Sequence, residues 1–111
     1  MIRNLTRNSV IASHVEIAKT SQQRMKGLLG RTDFPKNEAL IITRCQSIHM
    51  FFMKFAIDVL FCDKQNKVVG ICENIKPFQL SPIFFKASYA IELPAGTIAS
   101  SKTKLGDQIK L

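Results

Sequence analysis

The stretch Phe51-Phe-Met-Lys-Phe-Ala-Ile-Asp-Val-Leu-Phe61 places an apolar residue at every odd position: Phe51, Met53, Phe55, Ile57, Val59 and Phe61. The even positions include Lys54, Ala56, Asp58 and Leu60. Side chains of a β-strand point alternately to its two faces, so a repeat of two predicts strand with one buried face. The run is long against the usual strand of about 5–6 residues, which predicts a bend or bulge near Phe55-Ala56. On its C-terminal side, Asp63-Lys-Gln-Asn-Lys67 reads as a polar loop and Val68 to Cys72 as the returning arm of a hairpin. Pairing Cys62 with Val68 sets Phe61 opposite Val69 and Val59 opposite Ile71, with all four on one face. The same register separates Cys62 from Cys72 along the ladder, so no disulfide is expected between them.

Working outward, His14-Val-Glu-Ile-Ala18 alternates and reads as a strand. Thr20 followed by Gln23 has the spacing of a capping box at the start of a short helix. Met25, Leu28 and Leu29 share one helical face, with Arg24, Lys26 and Arg31 around or beyond it, and Gly30 is placed to end the helix. Asp33 to Asn37, with Pro35, is a loop, and Ala39 to Thr43 an apolar, β-branched strand. Lys76 to Phe84 holds Pro77 and Pro82 and reads as a loop crossing the surface. Ser88 to Leu93 is a strand ending at Pro94-Ala-Gly96, and Gly106-Asp107 turns into a last strand, Gln108 to Leu111. About six strands, one short helix in the N-terminal half and short non-helical links predict a mainly β fold, a compact sandwich or barrel-like domain. The 111 residues are expected to form a single domain, 1–111.

Cys45, Cys62 and Cys72 make an odd count without CxxC spacing, which argues for free thiols packed as small hydrophobes and for a reducing compartment. Arg3, Arg7, His14 and Glu16 interrupt the N-terminus, so no signal peptide is expected. The apolar-rich run from Ile48 to Cys62 contains His49, Lys54 and Asp58 and is too short and too charged for a membrane span. The cytoplasm is the expected location. The net charge of +8 comes from the two ends, because residues 32–63 carry three basic and four acidic groups. Nucleic acid or another anionic surface fits such charge, but no basic cluster or aromatic–basic alternation marks a nucleic-acid site, so that reading is a minor alternative.

Four segments together resemble the DUF192 family. Gln23-Arg-Met-Lys-Gly-Leu-Leu-Gly-Arg31 is similar to its "R-x-x-GLM-x-R" segment, and His49 to Asp63 to its "FWMKNT-x-IPLDIIFID" core. Ala87-Ser-Tyr-Ala-Ile-Glu-Leu-Pro-Ala-Gly96 resembles "A-x-YVLEL-x-AG", and Gly106-Asp107 its closing "GD". Leu29 stands in place of the motif Met, Phe52 of the Trp, and Phe55-Ala56 of the polar Asn-Thr. The resemblance runs in order from Thr20 to the C-terminus. It implies a compact β-rich fold and no established activity.

Lys54 and Asp58 are the polar residues inside the apolar stretch, roughly 13 Å apart along a straight strand at about 3.3 Å per residue. Polar groups so placed need partners or water. They read either as satisfied ions that fix strand register or as the floor of a polar cleft. Arg31 is expected at the rim of that cleft, and His49, Tyr89 and Glu92 within reach. A metal site built from His49, Cys45 and Asp58 lacks any spacing signature, and a Cys45–His49 nucleophile pair lacks the helical backbone its spacing suits. The five glycines are scattered, so there is no phosphate loop. No metal or cofactor is expected. The function that follows is a non-catalytic domain binding a small molecule or a protein in that cleft. The alternative is a small enzyme using the His49, Lys54 and Asp58 region.

Overall fold

The computed structural model describes residues 1–20, 23 and 27–111. In chain order its strands are β1 (Ile2–Asn4), β2 (Ser9–Ala12), β3 (His14–Ala18), β4 (Glu38–Thr43), β5 (Ile57–Cys62), β6 (Val68–Ile75), β7 (Tyr89–Pro94) and β8 (Ile109–Lys110). A short helix, α1 (Thr97–Ser101), lies between the last two. One sheet has the order β3-β4-β7-β5-β6 and the other β2-β1-β8. The chain is mainly β, as the alternation predicts, and its strands fall into two sheets.

The centre of the larger sheet is β4, β7 and β5. Their sequences are near-continuous apolar runs because both faces are covered. β3 runs parallel to β4, and the other pairs of this sheet are antiparallel. Register aligns Ile17, Ile41, Ile91, Leu60 and Ile71 in one row across all five strands. That face packs on Ile2, Ile11, Ile98 and Ile109 from the second sheet and α1. The reverse face carries the rows Glu16–Leu40–Glu92–Val59–Cys72 and Ala18–Ile42–Ala90–Phe61–Gly70. It is covered by Leu28, Met50, Met53, Phe84 and Ala87. Leu60, Phe61, Ile91 and Leu93 are fully buried, and each such side chain contributes about 1.5–3 kcal/mol of transfer free energy.

The deciding stretch departs from its alternation in its first half. β5 begins at Ile57, not Phe51, and both its faces are buried rather than one. Met53 N donates to Met50 O at 3.3 Å, and Phe52 adopts φ 64°, so residues 50–53 turn instead of extending. Past that turn the parity no longer selects a face. Met53, Ile57, Val59 and Phe61 are buried, but Phe51 is 40% exposed and Lys54 stands in solvent off the sheet.

The hairpin keeps Cys62 opposite Val68 but shifts by one residue beyond it, so Phe61 faces Gly70 and Val59 faces Cys72. This is a β-bulge, with one extra residue on β6. Val69 stays on the Phe61 face, as the sequence reading has it, while Ile71 crosses to the other. Gly70 is what the crowding demands: a Cβ there would lie 2.5 Å from the ring of Phe84, which packs 4.6 Å from that of Phe61. A second shift lies opposite Asp58, where Asn74 takes φ 51° and β6 continues to Ile75.

At the helix predicted after Thr20, the capping box is formed. Gln23 N donates to Thr20 Oγ1 at 3.1 Å, and Thr20 N donates to Gln23 Oε1 at 3.3 Å. Gly27 N then donates to Gln23 O at 2.9 Å, but Gly27 itself has φ 46° and residues 27–30 form a turn, so Gly30, at φ 83°, lies within that turn rather than ending the helix. Leu28 is buried; Arg24, Met25 and Lys26 lie outside the described residues. Cys45, Cys62 and Cys72 form no disulfide with one another. Among the described residues no helix is long and apolar enough to cross a membrane.

Candidate functional site

Glu92 occupies the middle of β7, between Leu40 of β4 and Val59 of β5, on the face that carries Ala90. The residue is only 6% exposed. Within an apolar sheet such a carboxyl normally has a partner, yet among the described residues no hydrogen bond or ion pair ends on it. Its oxygens open instead onto a cleft of about 860 Å³, which Glu92 lines. Burial raises the carboxyl from 4.5 to about 7.

The apolar wall of the cleft includes Leu28, Leu29, Ile42, Ile48, Met53 and Ala87. Polar groups come from residues 44–49 and from Ser88, and the cations Arg44 and Lys64 are both lining residues. Among the described residues neither cation is within salt-bridge distance of a carboxylate. His49 lines the same cleft; its ring stacks on Phe51 with centroids 5.2 Å apart. Half-buried Cys45 also lines it, its Sγ donating to Ser47 O at 3.1 Å.

Of the residues expected in one cleft, the structure brings together His49 and Glu92. Asp58 points to the opposite face of the sheet. Its Oδ1 accepts from Asn74 N at 2.8 Å, and its Oδ2 accepts from Gly96 N at 3.0 Å and Ile98 N at 2.9 Å. It thereby ties the second bulge of β6 to the start of α1, which is the register-fixing role. Tyr89 lies three residues before Glu92 and so on the other face, where its hydroxyl bonds Asn66 Oδ1 at 2.8 Å. Arg31 pairs with Glu38 at 3.4 Å and lies over the Phe34 ring, lining a smaller neighbouring hollow. Lys54 is exposed and lines neither. Among the described residues no three His, Cys, Asp or Glu side chains converge as metal ligands, so His49, Cys45 and Asp58 do not meet. The residues missed from sequence, Arg44, Lys64 and Ser88, sit in separate segments with no shared spacing to reveal them. Glu92 itself had a signal: it is the one charge in Tyr89-Ala-Ile-Glu-Leu-Pro94.

A second polar cluster is closed and structural. Asp107 is buried and accepts from Asn4 Nδ2, Arg7 Nε and Lys104 N, each at 2.9 Å. Burial alone would raise its carboxyl, but these donors hold it below its ordinary value. It joins β1 to the turn before β8.

The DUF192 family model, described as an uncharacterised group, matches residues 3–111. A UPF0127 protein of Thermococcus sibiricus is 36% identical over 115 residues, covering 98% of this chain and 73% of the relative. One from Pyrococcus horikoshii is also 36% identical, covering 99% and 97%. Among solved structures, a protein of unknown function from Novosphingobium aromaticivorans superposes with TM-score 0.80 at 25% identity, over 87% of this chain and 74% of that one. A Sinorhizobium meliloti protein gives TM-score 0.75 at 24% identity, over 86% and 79%, and shows the same fold. The chain belongs to the DUF192 family of uncharacterised proteins.

Proposed function

We propose that this member of the DUF192 family is a binding domain for a small organic anion, held in the cleft that ends on Glu92. The observation that carries the reading is the buried Glu92 carboxyl, unpartnered among the described residues and open to a cavity of about 860 Å³. That volume is within the range of small-molecule sites, about 300–1,000 Å³. A protein gains nothing in stability from such a carboxyl, so a role toward a ligand is the simplest reason for it. Arg44 and Lys64 favour negative charge on the ligand, and the apolar wall favours a hydrocarbon body. Below about pH 7 the carboxyl is protonated and can donate a hydrogen bond to a ligand oxygen.

A thermal-shift screen of aromatic and aliphatic carboxylates and phosphate esters tests this. Some members should raise the melting temperature of the wild type and not of Arg44→Glu. Failure of every class to stabilise the wild type, or equal stabilisation of Arg44→Glu, defeats the reading.

A catalytic reading gains one observation of its own. A carboxyl near pH 7 is matched to general acid–base work, and His49 lines the same cleft. It would transfer the chemistry from Lys54 and Asp58 to Glu92 and His49. Turnover of a ligand found by the screen, abolished in Glu92→Gln with binding retained, would establish it.

A further inference from the structure

Two loop segments, residues 44–56 and 76–88, zip together beside the cleft. Met50 N donates to Gln79 O and Phe78 N to Met50 O, both at 2.8 Å; Ser81 N donates to Ile48 O at 3.0 Å. Phe84 N donates to Gln46 O, and Gln46 Nε2 returns a bond to Phe85 O. His49 bridges to Leu80. The pairing is well made, yet it presents large apolar side chains to solvent: Phe52 is 76% exposed, Phe85 79%, Phe78 66%, Leu80 66% and Ile83 56%. The Phe52 and Phe78 rings meet edge to face with centroids 6.5 Å apart, and both residues hold a left-handed backbone, with φ 64° and 68°. Bulky residues rarely adopt that conformation.

The charge on the same segments has one sign. Residues 44–57 and 74–91 contain Arg44, Lys54, Lys76 and Lys86 and no Asp or Glu. All four cations are exposed. Exposed apolar side chains on segments whose only charges are exposed cations are what a peripheral membrane protein presents to anionic headgroups and the acyl boundary beneath them. We propose that this zipped pair of loops is a docking surface for an anionic lipid bilayer, with Phe52, Phe78 and Leu80 inserting and Lys54, Lys76 and Lys86 meeting the headgroups. A second copy of the chain fits poorly, because its own cations would face these. A single-stranded nucleic acid would use the rings by stacking, but the aliphatic Leu80 and Ile83 offer no stacking face.

Vesicle co-sedimentation tests the proposal, using phosphatidylcholine alone and mixed with phosphatidylglycerol. The wild type should pellet with the anionic vesicles at low salt and be released at high salt. The double variant Phe52→Asn, Phe78→Asn suits the left-handed backbone, so it should fold as the wild type does while its partitioning drops by roughly tenfold or more. Lys54→Glu with Lys76→Glu should lose binding and keep the fold. The chain has no Trp, so Phe78→Trp gives a single reporter whose emission should shift to the blue on anionic vesicles. No pelleting at low salt, no blue shift, or undiminished binding by the Asn variant overturns the proposal. So does a Phe-dependent dimer or Phe-dependent oligonucleotide binding in the absence of vesicle binding.

Discussion

Replacing Glu92 with Gln keeps the shape and removes the ionisation. In the unfolded chain this carboxyl titrates near 4.5, whereas in the fold burial raises it to about 7. Below pH 4.5 both states are protonated and the wild type carries no penalty. Between pH 4.5 and 7 the folded state binds the extra proton, so stability falls as pH rises; above 7 the loss is complete. At about 1.4 kcal/mol per pH unit, the full loss is roughly 3 kcal/mol. Glu92→Gln carries no such loss. Its stability minus that of the wild type should therefore grow by roughly 3 kcal/mol from pH 4.5 to 8. Taking the difference cancels the titration of Asp107 and every other group common to both proteins. Urea unfolding across this range, followed by circular dichroism, measures it. The nearby ionisable groups are Glu16 and Cys72 at the two ends of the same row and Arg44, Cys45, His49 and Lys64 in the cleft. If one of the cations reached the carboxylate, its pKa would return toward 4.5 and the difference would be flat with pH. A flat difference would refute both the isolation of Glu92 and its protonation near neutrality.

Asp58→Ala should destabilise the fold by on the order of 3 kcal/mol, because it leaves three backbone N–H donors at Asn74, Gly96 and Ile98 without their acceptor. Unchanged denaturation midpoints would remove Asp58 from its structural role. Thr20→Ala should cost on the order of 1 kcal/mol through the lost cap, read from the same midpoints. In a thiol titration the unfolded protein should count three groups. In the folded protein at pH 8, half-exposed Cys45 should react first, Cys72, whose thiol burial pushes up, more slowly, and Cys62, pushed up to about 12 chiefly by burial, should stay silent. Three equally fast thiols would contradict the packing of β5. Asp107→Ala should lower stability at neutral pH, and the margin over the variant should shrink in acid as the carboxylate is protonated.

The mainly β class, β3 at residues 14–18, the capping box at Thr20 and the absence of a disulfide among the three cysteines were legible because each rests on local chemistry: alternation, cap spacing and cysteine count. The family segments were legible for the same reason, being contiguous. The short β1–β2 hairpin and α1 were not, since strands of three and four residues carry no readable period. The candidate cleft was half legible. Glu92 and His49 were named, but parity alone separates Tyr89 from Glu92, and Asp58 shares the Tyr89 face. Whether Phe51 continued a strand was settled by the turn at Met50–Met53, held by contacts with Phe78 and Gln79 far along the chain. The bulge at Gly70 was settled by the ring of Phe84. A local pattern can state that a residue alternates; only the partners brought by the tertiary structure decide which face is covered, which charge finds donors, and which is left facing a cleft.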